Sequence, residues 1–263
     1  GPKDWGDPRK MKEIAESRNR QSADETHTSM INVALSERLS KDPERFFRAG
    51  LQSASDLITL IKNIIQGHHP LFAKNASIDF FGYSIGALLT QVMLMANPDR
   101  MLTKSRAVLF CGGAALSRMS GISKYIMDKL AYQDLIRYYN KDFQKHLKHF
   151  HFYKQTGNFK KLSRAFLSLI PVNALERFRE KIIRDLANRM LVIGLQKDTI
   201  VPAHQIVATL EGKHRKLPIQ VKIMDFPYEY SHENPFPVQL TRYREQINRS
   251  FLKVFDQAVQ VLA

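Results

Sequence analysis

A chain of 263 residues with 44% hydrophobic and 25% charged residues can bury one sizeable core and reads as a globular protein. One cysteine, Cys111, excludes an internal disulfide framework and gives no sign of an oxidising compartment. The net charge is +15, and no stretch approaches the roughly 18 consecutive apolar residues of a membrane span.

The opening GPKDWGDPRKMKEI is charged and is not a secretory leader. Gly1-Pro2 reads as a cloning remnant, so the expected cytoplasmic location holds unless a native leader preceded it. From Pro8 to Leu39 the pattern is polar, with helical pieces between irregular stretches. Asp42-Pro43 opens a helix that runs to Gln66 and is closed by Gly67. A short buried strand is predicted at Ser77–Phe81 and an apolar helix at Ile85–Ala96, ended by Asn97-Pro98. A second strand follows at Ala107–Cys111. Residues 115 to about 188 show helical periodicity and no convincing strand. Within them, residues 141–189 hold 12 Lys and Arg against 4 Asp and Glu, a net +8. Such a patch could attract nucleic acid, anionic lipid or an acidic substrate. No zinc-finger spacing, Arg-Gly arm or RNA-binding aromatic motif accompanies it, so a solvated helical surface is the reading and nucleic acid is not expected. The third strand is Met190–Leu195, with a helix from Pro202 to about Leu210. The fourth is Ile219–Phe226, and a closing helix runs from about Val238 to Val261.

Alternating strands and helices with near-continuous apolar strands predict an α/β fold, a mostly parallel sheet flanked by helices. The helical block at about 115–188 is expected as a cap inserted into a core spanning 40–263, after an irregular and helical segment at 1–39.

Gly82-Tyr83-Ser84-Ile85-Gly86 is a G-x-S-x-G sequence with a strand before it and a helix after it. A serine at such a turn sits in a strained conformation, and the glycines on either side are expected to let strand and helix approach. The Ile85 amide, at the helix N-terminus, is placed to stabilise a developing oxyanion. A hydroxyl needs a base, and the base an orienting acid. Asp198 follows the third strand and His232 the fourth, so the order is Ser84, Asp198, His232, with each at the C-terminal end of a strand. Ordinary roles stay open beside these: a structural turn at Ser84, a helix cap at Asp198, and for Tyr83 either a pocket wall or core packing. Cys111, in an apolar run, is expected to be a buried inert thiol. Asp79 is expected to be structural. The only metal-like spacing, His146, His149 and His151, lies among basic residues, so no metal and no cofactor is expected.

These residues resemble the α/β-hydrolase superfamily over roughly residues 40–263, in particular bacterial members of uncharacterised specificity with a helical cap. The resemblance implies an acyl-enzyme route on a carboxylic ester or thioester: Ser84 as nucleophile, His232 as base and acid, Asp198 as orienting carboxylate. It implies a small acyl substrate, and the cap's charge would suit one with an anionic group. It also implies about four strands before the elbow. Residues 1–76 contain no clear strand and no His-Gly-Gly motif, so either the front of the sheet is unusual or, as expected here, it and the second oxyanion donor lie outside this chain. The alternative is a non-catalytic binding module of the same fold.

Overall fold

The computed structural model describes residues 7–21, 28–143, 157–171, 175–212 and 217–263. They fall into two compact units, one drawn from 1–49 and 120–153 and the other from 50–119 and 154–263. This grouping cuts across the expected cap, because the described residues of 115–188 contribute to both.

The first unit is helical: α1 (Pro8–Arg20), α2 (Val33–Lys41), the start of α3 (Arg45–Gln66) and α5 (Lys129–Arg137), which continues into a π-turn at Tyr138–Asp142. Its polar centre is Arg18. That guanidinium forks onto buried Asp128, Nε to Oδ2 at 2.6 Å and Nη2 to Oδ1 at 2.7 Å, and reaches Glu37 at 3.0 Å. Asp128 in turn caps α5 by accepting the Ala131 amide at 2.8 Å. Its apolar centre is aromatic, with Tyr139 edge-on to Phe143 and its hydroxyl donating to the Pro43 carbonyl.

The second unit holds a four-stranded parallel sheet in the order β1 (Phe80–Tyr83), β2 (Ala107–Phe110), β3 (Met190–Leu195), β4 (Gln220–Met224). The α/β class and its parallel sheet are as the alternation predicted. Side-chain alternation assigns the two faces. Val108, Phe110, Leu191, Ile193, Leu195 and Met224 pack with Ile247, Val254 and Ala258 of the closing helix α9 (Arg244–Leu262). The opposite face takes α4 (Ile85–Ala96) and α8 (Ala203–Leu210), with Gly113 and Gly194 set against Ile206 of α8. α4 is apolar nearly all round because α6 (Asn158–Leu169) covers its other side. Leu162, Phe166, Leu167, Leu169 and Ile170 are all buried, so within the described residues they are packing side chains. α7 (Glu176–Leu186) precedes β3.

Several element boundaries differ from the sequence reading, most of all the starts of β1 and α9. β1 starts at Phe80 rather than Ser77, because pairing begins where the Phe80 amide meets the Arg106 carbonyl. Asp79 is spent on that junction, accepting the Arg106 amide at 2.6 Å. α9 starts at Arg244 rather than Val238, after a 3-10 turn at Thr241–Tyr243 that follows the Pro235 and Pro237 loop. Among the described residues before β1 there is no strand, so β1 is an edge of the sheet. No helix among them is long and apolar enough to cross a membrane.

Candidate active site

β1 delivers Ser84 to the C-terminal edge of the sheet. Its amide donates to the Phe110 carbonyl at 3.0 Å, continuing the ladder, and the backbone then turns through φ 55 and ψ −119 into α4. A non-glycine residue in that region is strained. Gly82 makes the turn possible: a Cβ there would sit 2.6 Å from Thr90 Oγ1 and 2.8 Å from the Ala87 Cα. Gly86 does not share that role, contrary to expectation, since a Cβ on it would meet nothing within 4 Å. The second close approach is made by Gly112, after β2, where a Cβ would lie 2.3 Å from the Ala87 Cβ. The spacing of the motif concealed this, because the partner glycine comes from the neighbouring strand.

The amides of Ile85 and Gly86, the first two of α4, find no acceptor among the described residues. Ile85 itself is largely exposed. Free amides at a helix start carry partial positive charge and face any group held in front of Ser84.

Asp198 and His232 come from the loops after β3 and β4, and both are 3% exposed. The Asp198 loop is tight. Oδ1 accepts the Ile200 amide at 2.9 Å and the Val201 amide at 2.8 Å, which fixes the carboxylate plane and leaves Oδ2 for His232. His232 Nδ1 lies 2.8 Å from Oδ2, and Nε2 lies 2.6 Å from Ser84 Oγ. The structure therefore brings together the three side chains that the sequence order singled out.

Tyr83 contacts the loop that carries His232. Its ring stacks on His232 at 5.8 Å between centroids and its hydroxyl donates to the His232 carbonyl. Burial, with Cys111, Asp198 and Glu233 nearby, pushes its phenol well above the usual range, so it stays a neutral donor. A cavity of about 720 Å³ borders Asp198, lined by Lys197, Thr199, Pro202, His204 and Ile223; Ser84 is not part of its wall.

Sequence reasoning missed Cys111. Cys111, Asp198 and His232 each place one donor atom within 4.8 Å of the others, and all three are buried. Thiolate, imidazole and carboxylate are a zinc-type donor set, although the 2.8 Å Nδ1–Oδ2 separation is that of a direct hydrogen bond. The signal lies in the strand pairing rather than in the sequence, since the residue just after β2 neighbours the loop after β3. His146, His149 and His151 lie outside the described residues.

Several solved structures are similar to this chain, among them two hydrolases. A meta-cleavage product hydrolase from Pseudomonas fluorescens IP01 is 16% identical, with a TM-score of 0.32, over 68% of this chain and 64% of that one. A serine hydrolase from the polyaromatic-hydrocarbon-degrading bacterium Cycloclasticus zankles is 17% identical, with a TM-score of 0.31, over 67% of this chain and 62% of that one. The chain thus spans under two thirds of the length of either structure. No curated protein matches it. The model of one family matches the whole of residues 1–263, and the chain belongs to that family, described as a family of unknown function, DUF6051.

Proposed function

We propose that the protein is a serine hydrolase that works through an acyl-enzyme on a carboxylic ester or thioester. The observation that supports this most is the continuous relay from Ser84 Oγ through His232 to Asp198, at 2.6 and 2.8 Å. His232 Nε2 takes the Ser84 proton as Oγ attacks the acyl carbon, while Asp198 holds Nδ1–H and offsets the imidazolium charge. The Ile85 amide supports the oxyanion of the tetrahedral intermediate. Its collapse expels the alcohol or thiol, which takes the proton from Nε2. Water then repeats the sequence on the acyl-enzyme, releasing the acid and restoring Ser84. No metal or cofactor enters these steps.

The net positive charge favours a substrate with an anionic group. The test is labelling with a fluorophosphonate probe, followed by a panel of esters and thioesters of graded acyl length. Labelling of the wild type, absent in Ser84→Ala and His232→Ala, supports the reading. A folded protein that takes no probe overturns it in favour of a non-catalytic binding module of the same fold.

A further inference from the structure

At the end of the sheet away from Ser84, the loops that enter β1 and β2 enclose a cavity of about 510 Å³, with Ile65 of α3 in its wall. That is the size of a small-ligand pocket. All the residues around it belong to the second unit, and none belongs to the Ser84–His232–Asp198 relay. The loop entering β2 is strained and firmly held. Asn97 at φ 40, Asp99 at φ 49 and Arg100 at φ 61 are all left-handed, a region that disfavours any side chain. Asn97 Oδ1 accepts the Leu102 amide at 2.9 Å, and its Nδ2 donates to Thr103 Oγ1 at 3.1 Å. Arg189 Nη1 donates to the Leu102 and Ser105 carbonyls at 3.2 and 2.5 Å. Strain maintained from several sides is commonly found where a chain binds something.

The loop spends its acid and keeps its bases. Asp99 is paired with Lys62 at 2.8 Å. Arg100 and Lys104 both border the cavity, and neither side chain has an ion pair or hydrogen bond among the described residues. Arg106 borders it too, with Nε 3.6 Å from Asp79, the one carboxylate in the wall. Between them is Ser105, only 5% exposed, whose hydroxyl has no partner among the described residues. An unpartnered hydroxyl on so buried a residue costs free energy that an acceptor in the cavity would recover. The rest of the wall includes apolar surface from Ile65, Ile78 and Met101. Three cations against one carboxylate leave two positive charges, and a phosphate group carries close to two negative ones at neutral pH.

We infer that this cleft is a binding site for a soluble phosphomonoester, its phosphate held by Arg100, Lys104 and Ser105 and its organic part set against Ile65, Ile78 and Met101. Cationic donors and a hydroxyl are the groups that hold phosphate oxygens most strongly. The apolar wall favours an ester over the free ion, and the double charge favours a phosphate ester over a sulfate ester. The site does not depend on the hydrolase reading, because it lies at the opposite ends of the strands from Ser84.

The test is calorimetric titration at low ionic strength with phenyl phosphate, phenyl sulfate and inorganic phosphate. Phenyl phosphate is expected to bind one-to-one and more tightly than either of the others. Arg100→Gln and Lys104→Gln are each expected to weaken it roughly tenfold, the equivalent of one hydrogen bond to a charged group, and Ser105→Ala several-fold. Circular dichroism checks folding; Arg100 and Lys104 are exposed, so their variants keep the test open if Ser105→Ala fails to fold. Ser84→Ala, and Lys253→Gln on the exposed side of α9, are expected to bind as the wild type does. Absence of phenyl phosphate binding overturns the inference. Equal weakening by Lys253→Gln would assign the binding to net charge, and loss in Ser84→Ala would move the ligand to the relay; either overturns it. Co-sedimentation with phosphatidylcholine vesicles containing phosphatidylserine distinguishes the other source of phosphate. Vesicle binding that Lys104→Gln abolishes, with phenyl phosphate silent, would make the cleft a membrane contact and overturn the soluble ligand. A wild type that takes phenyl phosphate but no fluorophosphonate would end the hydrolase reading and leave this site standing.

Discussion

Tyr83 and His232 are joined twice, by ring stacking at 5.8 Å and by a hydrogen bond from the phenol to the His232 backbone carbonyl. The residue before Ser84 thus holds the loop that carries its hydrogen-bond partner. Tyr83→Phe keeps the stacked ring and loses the tether, and one such hydrogen bond is worth about 1 kcal/mol. The expected outcome is a fluorophosphonate labelling rate several-fold lower with little change in melting temperature. Labelling at the wild-type rate would show that the loop needs no tether.

The three glycines around the elbow divide by what a methyl group would meet. Gly82→Ala drives Cβ into Thr90 and the Ala87 backbone, and Gly112→Ala drives it into Ala87 Cβ. Each is expected to destabilise the protein by about 1–3 kcal/mol through overpacking of α4 on the sheet. Gly86→Ala meets open space near the start of a helix, where alanine is the better helix former, and is expected to leave stability unchanged or slightly higher. Thermal denaturation of the three variants checks this; a Gly86→Ala defect as large as that of Gly82→Ala contradicts it.

Asp128 gives the helical unit an acid limit. Burial acts to raise its ionisation, but Arg18, the Ala131 amide and the Thr28 hydroxyl outweigh burial and leave it below the usual carboxylate range. Glu37 is also lowered: burial opposes, and Lys41 and Arg18 prevail. A carboxylate depressed in the folded state contributes stability above its unfolded value, near 4, and that contribution disappears as pH falls through the folded value. Denaturant melts between about pH 7 and pH 2 are expected to show stability falling from about pH 5 downward. Asp128→Asn should flatten that fall while costing about 3–5 kcal/mol at neutral pH, because it leaves buried Arg18 without its main partner. An equally steep acid profile in Asp128→Asn would remove Asp128 as its source.

Much of this was legible in the sequence for identifiable reasons. The apolar runs at 107–110 and 190–195 are strands buried on both faces, and such strands announce themselves by hydrophobicity alone. Ser84, Asp198 and His232 could be named because each follows a strand closely, and parallel strands bring those ends to one edge. Gly112 and Cys111 could not be assigned in the same way. Their partners, Ala87 and Asp198, are distant in sequence and adjacent only through the β1–β2 and β2–β3 pairing. Nor could spacing show that α5 packs with α2 while α6 packs with α4, since periodicity marks an apolar face without saying what covers it.

The backbone of Ser84 has a consequence for how this position behaves under substitution. Ser84→Ala and Ser84→Gly both delete the hydroxyl, but only glycine relaxes at φ 55. The glycine variant is expected to unfold at higher denaturant concentration than the alanine variant, by about 1–2 kcal/mol in stability. At this one position, then, thermal robustness and a reactive oxygen pull in opposite directions. A lineage selected only for endurance would drift to glycine here, so the proposed nucleophile sits where stability alone would not keep a serine.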